Sequence, residues 1–143
     1  MRALCLDLGS KRIGVAISNS EGTVAVPYEV IQRSTDRQTD HRRITDMAAE
    51  IEAECIVVGM PFSLDGSLGP AAKRAVAEVK LIRKATEIPV ETYDERLSTV
   101  TADRSLREMS LGASERRKMV DAVAASVILQ AWLDSERNKD DQT

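Results

Sequence analysis

Histidine, cysteine and aromatic residues are all scarce in this chain, and each scarcity removes a class of function. His41 is the only histidine. It falls in the polar start of an expected helix and is read as a solvated side chain, so Ser-His-Asp and Cys-His catalysis have little support. The two cysteines, Cys5 and Cys55, both lie in apolar strand-like runs and are expected to be reduced core residues rather than a disulfide or a metal pair. Aromatics make up 3% of the residues, namely Tyr28, Phe62, Tyr93 and Trp132. That is too few for a base-stacking platform of the RRM or OB type.

Long hydrophobic runs are also missing. No apolar stretch reaches the ~18 residues of a membrane span. Asp7 interrupts the one early apolar run and no small-residue cleavage site follows, so no signal peptide is expected and the chain is read as cytoplasmic. A formal net charge of −3 excludes a bulk basic field, and any nucleic-acid contact must use local basic patches. The 143 residues, 43% hydrophobic and 30% charged, suit a single domain with its own core.

What is present begins with a strand, about Arg2 to Leu8, a turn at Gly9-Ser10-Lys11 and a second strand from Arg12 to Ser18. Thr23 to Gln32 alternates as a third strand, with Pro27 pointing to an edge position or a bulge. Ile44, Met47, Ala48 and Ile51 recur at helical spacing, giving a helix over about Asp36 to Ala53. Cys55 to Gly59 is a short, wholly apolar run, typical of a parallel strand buried on both faces. Gly69-Pro70 opens a helix that runs to about Thr86. Val90 to Tyr93 forms the last strand, followed by a helix from Ser98 to Met109 and a final one from Ser114 to about Asp134. The polar tail 135–143 is expected to be disordered, leaving a single domain over 1–134. This order predicts an α/β fold in which an antiparallel three-strand meander joins parallel strands, with helices packed on the sheet.

Three acids stand where structure alone does not require them. Asp7 shares a strand face with Ala3 and Cys5 and ends that strand just before a glycine. An ionised carboxylate in such a setting needs a cation, dense hydrogen bonding or an open cleft. Glu95, or its neighbour Asp94, ends the last strand. Asp121 is the only charge in the run Met119 to Leu129, although a pair with Arg117 or Lys118 one turn earlier would also account for it. Hard Mg²⁺ and Mn²⁺ ions prefer carboxylate oxygens. Two such ions about 4 Å apart activate water and stabilise the leaving oxygen of a phosphodiester.

The blocks Asp7-Leu8-Gly9-Ser10-Lys11-Arg12-Ile13-Gly14, Val57-Val58-Gly59-Met60-Pro61, Asp94-Glu95-Arg96-Leu97-Ser98-Thr99 and Val120-Asp121-Ala122-Val123-Ala124-Ala125, with Ile128-Leu129-Gln130 following, resemble the motifs of the YqgF/RuvX family, in family order and over nearly the whole chain. The resemblance implies an RNase H-like fold: a mixed five-stranded sheet with helices on both faces. It implies a nuclease that uses Mg²⁺ or Mn²⁺, with Asp7, Glu95 and Asp121 as catalytic metal ligands. It prefers Glu95 to Asp94, which strand alternation places on opposite faces without choosing between them. Implied partners are nucleic acids, with precursor 16S rRNA favoured, a ribosomal small-subunit precursor as its setting, and a DNA four-way junction as the alternative; monomer and homodimer both stay open. A non-catalytic RNA- or ribosome-binding factor is a further reading. Lys11, Arg12 and Arg96 adjoin the acids and are expected to contact substrate phosphates. Related junction resolvases carry another acid one turn after the helix aspartate, where this chain has Ala124 and Ala125.

Overall fold

The alternation in the first part of the chain becomes an antiparallel meander in the computed structural model, which describes residues 1–101 and 114–141. β1 (Ala3–Leu8) pairs with β2 (Arg12–Ser18), and β2 with β3 (Ala25–Gln32). The chain crosses through α1 (Arg37–Glu50) to β4 (Cys55–Met60), parallel to β1, and through α2 (Pro70–Ala85) to β5 (Val90–Asp94), parallel to β4. A 3-10 turn, Glu95–Leu97, follows, and α3 (Ser114–Asp141) completes the described chain. The strand order is β3-β2-β1-β4-β5. The helix expected from Ser98 to Met109 lies, beyond Thr101, outside the described residues.

Pro27 sits where its missing N–H does least harm. β3 is an edge strand, and its register against β2 shifts between Val15 and Ala16, opposite Glu29 and Pro27. The polar segment from Ser135, expected to be disordered, carries α3 on to Asp141. No glycine or proline interrupts it, and the i,i+3 pairs Arg137–Asp134 and Lys139–Glu136 favour continued helix.

Period-2 alternation sorts the core into two layers. Leu4, Leu6, Ile13 and Val15 pack with Ile44, Met47, Val79 and Ile82 of α1 and α2. Ala3, Cys5, Ala16, Cys55 and Val57 pack with Ala125, Ile128, Leu129 and Trp132 of α3. Both cysteines are buried and free, and burial pushes the Cys55 thiol up to about 12, so neither is a ready nucleophile.

Two glycines let α3 lie close to the sheet. A Cβ on Gly14 would stand 2.0 Å from the backbone oxygen of Asp121, and one on Gly59 would stand 2.9 Å from Cδ1 of Ile128. The first collision is with backbone and cannot be relieved by a rotamer change.

His41 corrects the expectation of a solvated side chain. It is 4% exposed, because the buried stripe of α1 starts earlier than its apolar residues and includes Asp40 and His41. Its Nε2 lies 2.8 Å from Oε2 of Glu78 on α2. Arg33, just past β3, donates to both Glu78 oxygens at 2.9 and 2.8 Å. Burial by itself would raise the Glu78 pKa, but the bonds from Arg33 and His41 outweigh it and hold the carboxyl below its ordinary range.

Gly14→Ala is expected to cost at least the ~1–3 kcal/mol of an overpacked core, and more than Gly59→Ala, where only a side-chain tip must move; urea denaturation of both variants checks the order. Because the folded-state pKa of Glu78 is depressed, its contribution is present above the unfolded value and lost as pH falls below about 4.3. Glu78→Gln is expected to cost up to ~3 kcal/mol at neutral pH by leaving partly buried Arg33 and buried His41 without their carboxylate, and to flatten the acid limb of a stability-against-pH curve.

Candidate active site

The contact of α3 with Gly14 brings the acid-bearing elements together. Gly14 is the cross-strand partner of Asp7 in the β1–β2 ladder, and the residue pressed against it is Asp121. Asp7 therefore ends β1 on the sheet face that α3 covers, and the peptide of Asp121 lies over the neighbouring strand. Asp7 and Asp121 are both partly buried.

The basic residues that the sequence places beside the acids have distinct partners. Arg12, first residue of β2, donates from Nε to Oδ2 of Asp121 at 2.8 Å, with the two side chains 45% and 24% exposed. This pair spans most of the chain. The side chains of Arg117 and Lys118, the partners considered on the helix itself, lie outside the described residues. Lys11 is exposed in the β1–β2 turn.

At the end of β5 the two candidate acids separate. Asp94 caps the 3-10 turn and accepts from the backbone N, Nε and Nη2 of Arg96. The bond with the Arg96 side chain, aided by its backbone N–H and its charge, holds the Asp94 carboxyl below the usual range. Arg96 also reaches the carbonyls of Ser63 and Leu64, at 3.4 and 3.3 Å, and lies over the Phe62 ring. Tyr93 packs with the α3-facing cluster, so alternation turns Asp94 to the other face. Glu95 is partly buried at the start of the turn, and its carbonyl accepts from Ser98.

The three acids offer hard oxygen donors, the right chemistry for Mg²⁺ or Mn²⁺, and the Asp121 carboxylate already binds a cationic group, Arg12. Among the described residues no three His, Cys, Asp or Glu side chains gather closely enough to hold a metal ion. The donor set thus fits in kind, and filling it requires side-chain movement, with Arg12 holding one oxygen of Asp121. Ala124 and Ala125, where related resolvases carry a further acid, are 5% and 0% exposed in the α3-facing core, which leaves no room for one.

The supporting roles of two residues, Gln130 and Arg33, escape sequence reasoning. Gln130 of α3 donates to the Thr23 carbonyl at 3.0 Å and accepts from Ala25 N at 2.9 Å, tying the helix to edge strand β3. Arg33 donates from Nε to the Gly9 carbonyl at 2.7 Å, bracing the turn after Asp7 from the opposite face. Neither belongs to a charge pattern visible in sequence, because each partner is remote in the chain.

The family model of RuvX, described as Holliday junction resolvase, matches residues 1–135. A protein of Mycobacterium sp. (strain KMS) named "Putative pre-16S rRNA nuclease" is 45% identical over 138 residues, covering 95% of this chain and 81% of its own. Proteins of the same name from Rhodococcus opacus (strain B4) and Desulforamulus reducens are 47% and 39% identical, covering 96% and 94% of this chain and 79% and 98% of their own. Among solved structures, T. thermophilus RuvC in complex with a Holliday junction substrate superposes with a TM-score of 0.60 at 17% identity, over 96% of both chains. That likeness shows an RNase H-like fold.

Arg12→Ala is expected to tighten Mn²⁺ binding to the free protein by a factor of about 1.5–5, the worth of a half-exposed ion pair of ~0.2–1 kcal/mol that no longer competes for Asp121. Isothermal titration with Mn²⁺ reads this directly.

Proposed function

Since the chain belongs to the RuvX family, we propose that it is a nuclease that hydrolyses phosphodiester bonds of precursor 16S rRNA, with Asp7, Glu95 and Asp121 as its catalytic acids. The observation that carries the reading is the placement of Asp121 against Gly14, the strand partner of Asp7. Two carboxylates from distant parts of the sequence are brought to one end of the central strand, on one face. The curated relatives, matched over nearly the whole chain, favour RNA over a DNA junction. Symmetric junction cleavage would need two sites related by a two-fold axis, hence a homodimer.

Asp7, Glu95 and Asp121 would hold a divalent cation, which when bound supplies an activated water and neutralises charge on the leaving oxygen. The remaining residues position the substrate. Arg12, once released from Asp121, is placed to meet a phosphate beside the acids, and Lys11 adds an exposed cation in the same turn. Arg96, expected to contact substrate phosphate, is bonded to Asp94, Ser63 and Leu64; these bonds brace the end of β5, and we take Glu95 as the acid for the site. Precursor rRNA as substrate implies a cytoplasmic site of action. No helix among the described residues is long and apolar enough to cross a membrane.

The purified protein is expected to cleave precursor rRNA with Mn²⁺ and to stop with EDTA, while Asp7→Asn and Asp121→Asn keep their fold and lose activity. Cleavage of a four-way junction alone points to the resolvase reading. Metal-independent binding of RNA without cleavage, unaffected by either substitution, points to a non-catalytic binding factor.

A further inference from the structure

We propose that the cavity on the other side of the β1–β2 turn, between the first turns of α1 and α2, is a second contact for the nucleic acid: a phosphate-binding cleft gripped by Arg37 and Arg74. The proposal rests on the nuclease reading and assigns residues outside the acidic site. The cavity has a volume of about 310 Å³, and its lining includes Leu8, Gly9 and Ser10 at the end of β1 together with Arg33, Arg37 and Arg74. That volume is at the small end of ligand pockets. It admits a phosphate with its sugar and excludes a duplex.

Charge decides what the cleft takes. Its two acids, Asp40 and Glu78, are 2% and 3% exposed and already engaged. Asp40 accepts from Ser34 N at 3.0 Å, and Glu78 is held by Arg33 and His41. Arg33 in turn spends its fork on Glu78 and the Gly9 carbonyl. Arg37 and Arg74 differ. Both are exposed, they come from different helices, and neither side chain has a hydrogen bond or ion pair among the described residues. Two uncommitted guanidiniums over acids that are buried and already hydrogen-bonded suit a phosphodiester, which they can bind in forked fashion. The start of α2 agrees with this: Gly69 gives it no side-chain cap and its first turn holds no acid, leaving its field positive toward the cavity.

Position identifies the ligand as the same strand that reaches the acids. Asp7 faces α3 and Leu8 faces the cleft, so the two sites lie on opposite sides of one strand end, and Gly9 and Ser10 form the rim between them. Asp7 and Gly9 are ~7 Å apart along extended chain. A nucleic-acid strand draped over this turn carries one phosphate to the acids and a nearby one to Arg37 and Arg74. Arg33, bonded to Gly9 and lining the cleft, sets the height of the rim.

The test uses the full chain with Asp7→Asn to prevent cleavage, and measures binding of precursor rRNA and of a four-way junction across salt concentrations. Adding Arg37→Ala and Arg74→Ala is expected to weaken binding about tenfold and to lower the slope of log K against log[salt] by about one. Arg37→Lys with Arg74→Lys is expected to restore most of both. The control, Arg42→Ala with Lys84→Ala, removes equal charge from the same helices further along and is expected to change affinity less than about twofold. If the parent binds neither nucleic acid, the nuclease reading fails and the cleft proposal falls with it. Should the parent bind while the Arg37/Arg74 variant matches it in affinity and slope, the cleft alone is overturned. The cleft is equally overturned if inorganic phosphate shifts the Ser10 and Ala71 amides in NMR spectra but nucleic-acid affinity ignores both arginines, which would make it a small-anion site.

Discussion

The approach of α3 to β2 at Gly14 is the constraint on which the site depends. Any side chain at that position would meet the carbonyl of Asp121, and the helix would have to lift or slide. Lifting would open the α3-facing core around Ala16, Ala125 and Ile128. Sliding would carry Asp121 away from the strand end that bears Asp7. Packing and site geometry are therefore one requirement, met by a missing Cβ. Gln130 enforces the same placement further along the helix, since its amide satisfies backbone groups at the open start of β3.

The sheet has two faces with different tasks. The α3 face carries Asp7 and Asp121 and keeps the cysteines and small alanines buried beneath the helix. The α1/α2 face holds the larger aliphatic core and, at its upper edge, the Arg33–Glu78–His41 group. A buried charged group is costly to assemble and costly to break. Here it joins both helices to the turn after Asp7, through the bond from Arg33 to the Gly9 carbonyl. The end of β1 is thus held from below while α3 fixes the acid across from it.

Much of this is legible in the sequence where a local pattern decides. Alternation places Asp7 on a face with Ala3 and Cys5, and both partners lie in the α3-facing cluster. Pro27 signals the irregular edge strand. Gly14, by its sequence neighbours, suggests only hairpin geometry and close approach of substrate; what approaches it is the helix carrying Asp121, a long-range contact that no local pattern encodes. His41 misleads for a related reason. Its neighbours in sequence are polar, and the groups that justify its burial, Glu78 and through it Arg33, come from other elements. What distinguishes the surroundings of Asp94 is likewise long-range in part: Arg96 closes back on Asp94 and on the loop at Ser63 and Leu64.

In the proposed mechanism Asp121 is a site residue that Arg12 occupies until a metal arrives. Anomalous diffraction from crystals of the full chain grown with Mn²⁺ tests this most directly. The predicted result is a single Mn²⁺ peak, or a close pair, coordinated by carboxylate oxygens of Asp7, Glu95 and Asp121, with the Arg12 guanidinium withdrawn from Asp121. Mn²⁺ bound elsewhere, with the Arg12–Asp121 pair intact beside Asp7, would contradict it.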